Sequence, residues 1–304
     1  MTETVIECVP NFSEGVDCKK VHAILNAMRV DGVSLLDWSL DGDHNRSVVT
    51  IAGPPQAVVE AAVRAAGKAA ELIDLTAQRG VHPRIGATDV IPFVPVSGIS
   101  LAQCAILARQ AGLEIWRRHN IPIYFYEAAA SRPDRALLEQ VRQGQFEGLR
   151  EQVLRDVARR PDLGGPELHP TAGASAVGAR KFLIAYNLYL ERPDVTAARA
   201  IAKALRASSG GLDGVKAMGV LVQGRAQVSL NITDFRLTPV RHAFAAVDRL
   251  ARTHGTKVVD AELIGLLPEE AFERDSEWVR LIKEFKPEER ILERRLKQPL
   301  EWPI

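Results

Sequence analysis

KFLIAYNLYLERPDVTAARAIAKALRASSGGLDGVKAMGVLVQGRAQVSLNI, residues 181–232, carries a strand, a helix and a hairpin in one uninterrupted run. Lys181–Leu190 is rich in aromatic and branched apolar groups, which reads as a strand. Val195–Ala207 instead spaces its apolar residues three and four apart, as on one face of a helix. Val215–Val222 and Ala226–Ile232 are two further strands joined by a turn at Gly224. Downstream, Val240–Arg252 again has helical spacing and Val258–Ile264 reads as a strand. The order β-α-β-β-α-β is that of a ferredoxin-like unit, in which two helices cover one face of a four-stranded antiparallel sheet.

The same order recurs upstream. Thr4–Val9 reads as a strand, Asp17–Arg29 as a helix capped by Asp17, and Val33–Leu36 and Ser47–Ile51 as strands. Gln56–Leu72 reads as a helix begun by Pro54 and Pro55, and Val90–Val96 as a strand. Pro92 and Pro95 place that last strand at an edge or make it irregular, because a proline cannot donate to a ladder. A helix over Leu101–Arg117, a strand over Ile121–Tyr126 and further helix to about residue 158 extend this lobe. PDLGGPELHPTAGASAVG, residues 161–178, is the sharpest shift in composition and reads as a linker or a functional loop. The expected fold is therefore α+β, with two ferredoxin-like subdomains, residues 1–180 and 181–304, whose facing sheets form a cleft.

Composition narrows the function. Lys plus Arg number 39 against 38 for Asp plus Glu, so a nucleic-acid partner is not expected. The only dense charge run, Lys283–Arg295, reads as a solvated helix. Cys8, Cys18 and Cys104 form neither a disulfide framework nor a CxxC metal site, which suits a reducing compartment. The N-terminus lacks the pattern of a secretory signal, and no apolar run is long enough to span a bilayer, so no membrane partner and a cytoplasmic location are expected.

Four segments present chemistry-bearing side chains from loops: Asn11–Gly15, Asp41–Arg46, Gly80–Gly86 and Gly164–Lys181. His82 lies between glycines, beside Pro83 and Arg84, so a stiff turn displays an imidazole that can both take and give a proton near neutral pH. A structural histidine is the alternative. His44 beside Asp41 and Asp43 suggests a metal, but no second histidine stands at the spacing of a metal motif, and solvated turn aspartates explain the pattern more simply. No metal is expected. Asn45 and Arg46 suit a substrate carboxylate, which guanidinium can grip in bidentate fashion. GASAVGARK matches neither a phosphate loop nor a dinucleotide fingerprint, whereas Gly164–Gly173 could lay exposed backbone along a flat ring, with Arg180 and Lys181 near its acidic tail.

The segments ECVPNFSEG (7–15), HNR (44–46), AGPP (52–55), HPRIGATDVIPFVPV (82–96), GARKFLIAYN (178–187) and AQVSLNITDF (226–235) resemble glutamate formimidoyltransferases across nearly the whole chain. The resemblance implies transfer of the formimidoyl group of N-formimidoyl-L-glutamate to N5 of tetrahydrofolate, with release of L-glutamate, as in histidine degradation. It implies tetrahydrofolate as co-substrate, a homodimer, and His82 as the catalytic residue. The folate-binding segment falls on Gly164, Gly165, Pro166, Glu167, Leu168, His169, Pro170, Thr171, Ala172 and Gly173. Asn11, Ser13, Glu14, Asn45, Arg46, Arg84, Arg180 and Lys181 are candidates for holding the substrates. Vertebrate members of the family continue into a cyclodeaminase domain. The expectation here is the transfer step alone, with a separate cyclodeaminase as an open choice of partner. Ser39 and Ala172 stand where those members have aspartate and tryptophan, which leaves formyl transfer and a non-catalytic folate-binding protein as rival readings.

Overall fold

The computed structural model describes residues 4–274 and 276–303. The chain divides into two compact units, one running to Arg180 and regaining the segment from Pro299, the other spanning Lys181–Gln298.

In the first unit, β1 (Val5–Cys8) and β2 (Asn11–Phe12) are two parts of one strand broken at Val9–Pro10. They lie between β4 (Arg46–Gly53) and β5 (Thr88–Ser97), both antiparallel to them, while β3 (Ser34–Asp41) pairs with the outer side of β4. Two parallel strands extend the sheet beyond β5, first β7 (Ser175–Ala179) and then β6 (Ile123–Glu127). The helices α1 (Cys18–Ala27), α2 (Pro55–Leu72) and α3 (Leu101–His119) share one core with the sheet residues Ile6, Phe12, Leu35, Ile51, Ile91 and Phe125. Each start is chemically marked: Asp17 accepts the N–H groups of Lys19 and Lys20, Pro55 opens α2, and Ser100 and Gln103 form a reciprocal capping box. On the opposite face, the short α4 (Leu138–Val141) and α5 (Gln145–Arg155) pack Val141, Leu149 and Val153 against Val90, Tyr124, Tyr126 and Ala176.

Two expectations are corrected here. β5 is a central strand, not an edge, because its prolines fall where no donor is needed, although it is irregular, as the other alternative had it, with register breaks against β1 and β2. The missing N–H of Pro92 faces the break at Val9–Pro10, and Pro95 lies beyond Phe93, where the pairing with β7 ends. The tail of the glycine-rich segment is also not a linker: residues 175–179 are a fully buried strand whose small side chains fit between β5 and β6. Gly178 is pressed so close to Tyr126 that a Cβ would stand 2.5 Å from its carbonyl oxygen.

The second unit is a four-stranded antiparallel sheet in the order β11 (Val258–Ile264), β8 (Ile184–Leu190), β10 (Arg225–Ile232), β9 (Val215–Val222). That is the ferredoxin-like order, with α6 (Val195–Leu205) and α7 (Val240–Thr253) packed into its core. The β9–β10 hairpin turns through Gln223 and Gly224, both with positive φ. After the short α8 (Glu277–Arg280), the charged tail forms two separate turns, α9 (Pro287–Arg290) and α10 (Leu292–Arg295), in place of the single solvated helix expected. Ile291 and Leu292 interrupt its charge pattern with buried side chains. Among the described residues no helix is long and apolar enough to cross a membrane.

Candidate active site

Four loops of the first unit converge because glycines let their backbones touch. A Cβ on Gly15 would stand 2.2 Å from the carbonyl oxygen of Asp41, one on Gly80 2.4 Å from that of His44, and one on Gly86 2.1 Å from that of Ala174. Only glycine permits such approaches. Asn45, at φ 48°, pins the junction: its Oδ1 accepts the N–H of Gly15 at 2.9 Å and its Nδ2 donates to the carbonyl of Arg79 at 2.6 Å. Ser13 ties the first loop to the third, donating through Oγ to Gly86 O at 2.7 Å and through its N–H to Ala87 O at 2.9 Å.

These contacts frame a small, partly open hollow lined by Phe12, Ser13, His44, Asn45, Arg46, His82, Arg84 and Asp89. The rings of His44 and His82 meet edge to face with centroids 6.3 Å apart. His82 is held far below the ordinary histidine value by burial, then by the positive charges of Arg46 and Arg142 and by His44. Its imidazole is therefore neutral at physiological pH, and burial and the neighbouring cations make it a weaker base than a free histidine. Burial and the charge of Arg142 lower the pKa of Arg46 to about 10. Arg46 donates to Asn11 Oδ1, while its Nε is buried without a partner, as is the Nε of Arg142. Arg46 lines the hollow with His82, and Arg142, which does not line it, is near enough for its charge to act on the imidazole; each keeps an unused N–H donor, an arrangement suited to an anion.

Asp89 offsets part of this charge. It occupies an irregularity in β5, where Asn11 and Phe12 pair with Val90 and Thr88 and leave Asp89 as the additional residue. Such a bulge re-aims a side chain. The Asp89 carboxylate accepts a bond from Arg142 and, at 2.8 Å, the N–H of Ile85, so it secures the His82 loop as well. Neither Asp89 nor Arg142 was among the residues expected from sequence. Asp89 lies inside an apolar strand, and Arg142 follows α4 in a region without motif; their meeting depends on the tertiary fold alone.

Arg84 lines the hollow, but all five of its donors are engaged within the protein: Nε with Gln78, the two terminal nitrogens with Glu147, Gln145 and the Gln78 carbonyl. It clamps the His82 loop to α5. Glu14 is similarly occupied, accepting the N–H groups of Val16 and Asp17 and the ammonium of Lys20. Burial opposes its charge, yet these bonds prevail and hold its pKa below the ordinary value.

The glycine-rich stretch lies directly against the His82 loop. Ala174 N–H donates to Ile85 O and Ala87 N–H to Ala172 O, both at 2.9 Å. Gly164, Gly165 and Gly173 all have positive φ, and the N–H groups of Ala172 and Thr171 turn back onto Nδ1 of His169. Gly165, Pro166, Glu167 and Pro170 are exposed, whereas Ala172 is buried beneath the turn. Arg180 sits at the far end of β7, its N–H on Phe93 O, four residues along β5 from Asp89. Lys181 belongs to the second unit and pairs with Asp234 at 2.6 Å. Neither is among the residues lining the hollow. Ser39 is half-buried on β3 opposite Val48.

Residues 5–180 match the family model described as formiminotransferase domain, N-terminal subdomain, and residues 185–280 match that of the formiminotransferase domain. The chain is 41% identical over 295 residues to the glutamate formimidoyltransferase of Streptococcus pyogenes serotype M1, covering 96% of this chain and 98% of that protein. It is 40% identical over 300 residues to the Thermoplasma acidophilum protein of the same name, covering 97% and 98%. With the formimidoyltransferase-cyclodeaminase of Mus musculus it shares 39% identity over 273 residues, 87% of this chain but 50% of that longer protein. On these matches, which span both compact units, the chain belongs to the formiminotransferase family.

Proposed function

We propose that the protein transfers the formimidoyl group of N-formimidoyl-L-glutamate to N5 of tetrahydrofolate and releases L-glutamate. One observation carries the reading beyond family membership: a neutral His82 shares its hollow with the half-buried Arg46 and feels the charge of Arg142, and each arginine has a buried Nε without a partner. A dicarboxylate donor supplies the acceptors these cations lack. Its binding also offsets the arginine charges that, after burial, depress His82, so that part of the imidazole's lost basicity returns when the donor is in place. His82 takes the proton shed by the attacking nitrogen. Arg46 and Arg142 hold carboxylate, and Arg84, Asp89 and Ser13 fix the His82 loop.

The exposed backbone of Gly165–Glu167 and Pro170, bonded to the His82 loop through Ala172 and Ala174, is our candidate for the folate side. A cytoplasmic homodimer serving histidine degradation completes this reading, on the strength of the family alone. The test is release of L-glutamate from N-formimidoyl-L-glutamate with and without tetrahydrofolate, and the same with N-formyl-L-glutamate. Folate-dependent release from the formimidoyl donor supports the proposal. Release only from the formyl donor, or none by folded protein, refutes it.

A further inference from the structure

Beyond His82, the hollow holds a second imidazole that is backed by a carboxylate. Nδ1 of His44 lies 2.7 Å from Oδ2 of Asp41, and the other carboxylate oxygen accepts the His44 backbone N–H at 2.9 Å. The backbone bond alone would close the turn. The ring bond does something further: it assigns the Nδ1 proton and leaves Nε2 as the exchangeable nitrogen. The Asp41 carboxyl is held below its ordinary range, chiefly by the bond from His44, so it stays ionised as the acceptor that orients the ring. Gly80 presses against the His44 carbonyl, which fixes the turn relative to the loop that carries His82.

From this arrangement we propose that His44 is the second proton carrier of the transfer, giving its Nε2 proton to the leaving nitrogen while His82 receives the proton of the attacking one. The inference rests on the reading under Proposed function. A bond forms between the attacking secondary nitrogen and the formimidoyl carbon, and the C=N pair moves onto the imino nitrogen. The C=N bond then re-forms as the bond from that carbon to the glutamate nitrogen breaks, its electron pair taking the proton from His44. His82 ends protonated and His44 neutral, and exchange with solvent restores both. Two carriers spare one imidazole from turning between two nitrogens within a single turnover.

The groups facing His44 are Asp41 and Asp43 on its own turn, Arg46 at the start of β4, and His82 on the opposite loop, with Arg79 held nearby through Asn45. Asp41 is a positioning residue. His44→Gln should lower kcat about 100-fold, the scale of a lost general acid, with little change in KM. It should also abolish the fall of kcat on the alkaline side, where the acid of the wild type is deprotonated. Asp41→Asn should lower kcat by a smaller factor, and free imidazole should restore part of the rate of a His44→Gly variant. Nitrogen-15 histidine spectra of the wild type give a readout independent of variant folding: Nδ1 of His44 should carry the proton shared with Asp41. An unchanged kcat with the alkaline limb intact in His44→Gln, or a His44 protonated at Nε2 and bare at Nδ1, overturns the inference. If the wild type releases no glutamate at all, it is the proposed function that fails.

Discussion

Replacing Asp89 by asparagine removes the one carboxylate that meets Arg142 among the described contacts, while preserving shape and an oxygen for the Ile85 N–H. Asp89 is only 2% exposed. Breaking a buried ion pair by deleting one partner costs about 3–5 kcal/mol, since the other charge is left uncompensated. Here the Ile85 bond survives and Arg142 keeps some access to water, which reduces the expected loss to roughly 2–3 kcal/mol. With a urea dependence of about 2 kcal/mol per molar, the unfolding midpoint of the first unit should fall by about 1–1.5 M. Urea titrations at pH 7 followed by far-ultraviolet dichroism would measure this, with Arg142→Met and the double variant completing a cycle. The double variant should recover at least about 1 kcal/mol of the summed losses, because it no longer buries a lone cation. A loss below about 0.5 kcal/mol for Asp89→Asn, or strictly additive losses, would refute the claim that Asp89 offsets Arg142.

Further outcomes follow from the same geometry. Below about pH 6.5 the unfolded chain protonates His82 and the folded one does not, because its folded value lies well below the ordinary one; stability is lost as pH falls. His82→Gln should remove that one-proton share, gaining about 1–2 kcal/mol relative to wild type between pH 6.5 and 5 in paired urea titrations. Gly86→Ala would drive a Cβ to within 2.1 Å of Ala174 O, and should cost about 2–4 kcal/mol while weakening tetrahydrofolate binding in a fluorescence titration. Arg142→Met should raise KM for N-formimidoyl-L-glutamate about 10- to 100-fold in initial-rate assays while KM for tetrahydrofolate moves little, as expected for loss of a charge-assisted bond to carboxylate.

The helices and most strands were legible because their signals are local. Alternation, three-and-four spacing, Asp17 and Pro55 each act within a few residues, and the second unit follows its expected order element by element. What misled were rules that presume a neighbour. Pro92 excludes a central strand only if an acceptor stands opposite, and here the broken strand β1–β2 offers none. Ser175–Ala179 looked like loop because glycine and alanine are weak strand formers, yet only small residues fit between β5 and β6. The site divides in the same way. Glycine- and proline-punctuated loops announced His44, Arg46, His82 and the 164–173 segment, and the fold joins them through backbone contacts. Arg84 and Glu14 were legible as polar residues in those loops, but not that their charges are already satisfied. Asp89 and Arg142 were not legible at all, since a bulge and a contact across 53 residues leave no mark on spacing.

His82 is the residue on which the transfer turns. Single-turnover release of L-glutamate from N-formimidoyl-L-glutamate, with tetrahydrofolate in excess, should be measured for wild type and for His82→Ala after both are shown to bind tetrahydrofolate equally. With His82 as the proton acceptor, wild type should show folate-dependent release and the variant a loss of about 100-fold or more, the scale of a removed proton acceptor. Equal rates in the two proteins would contradict that role.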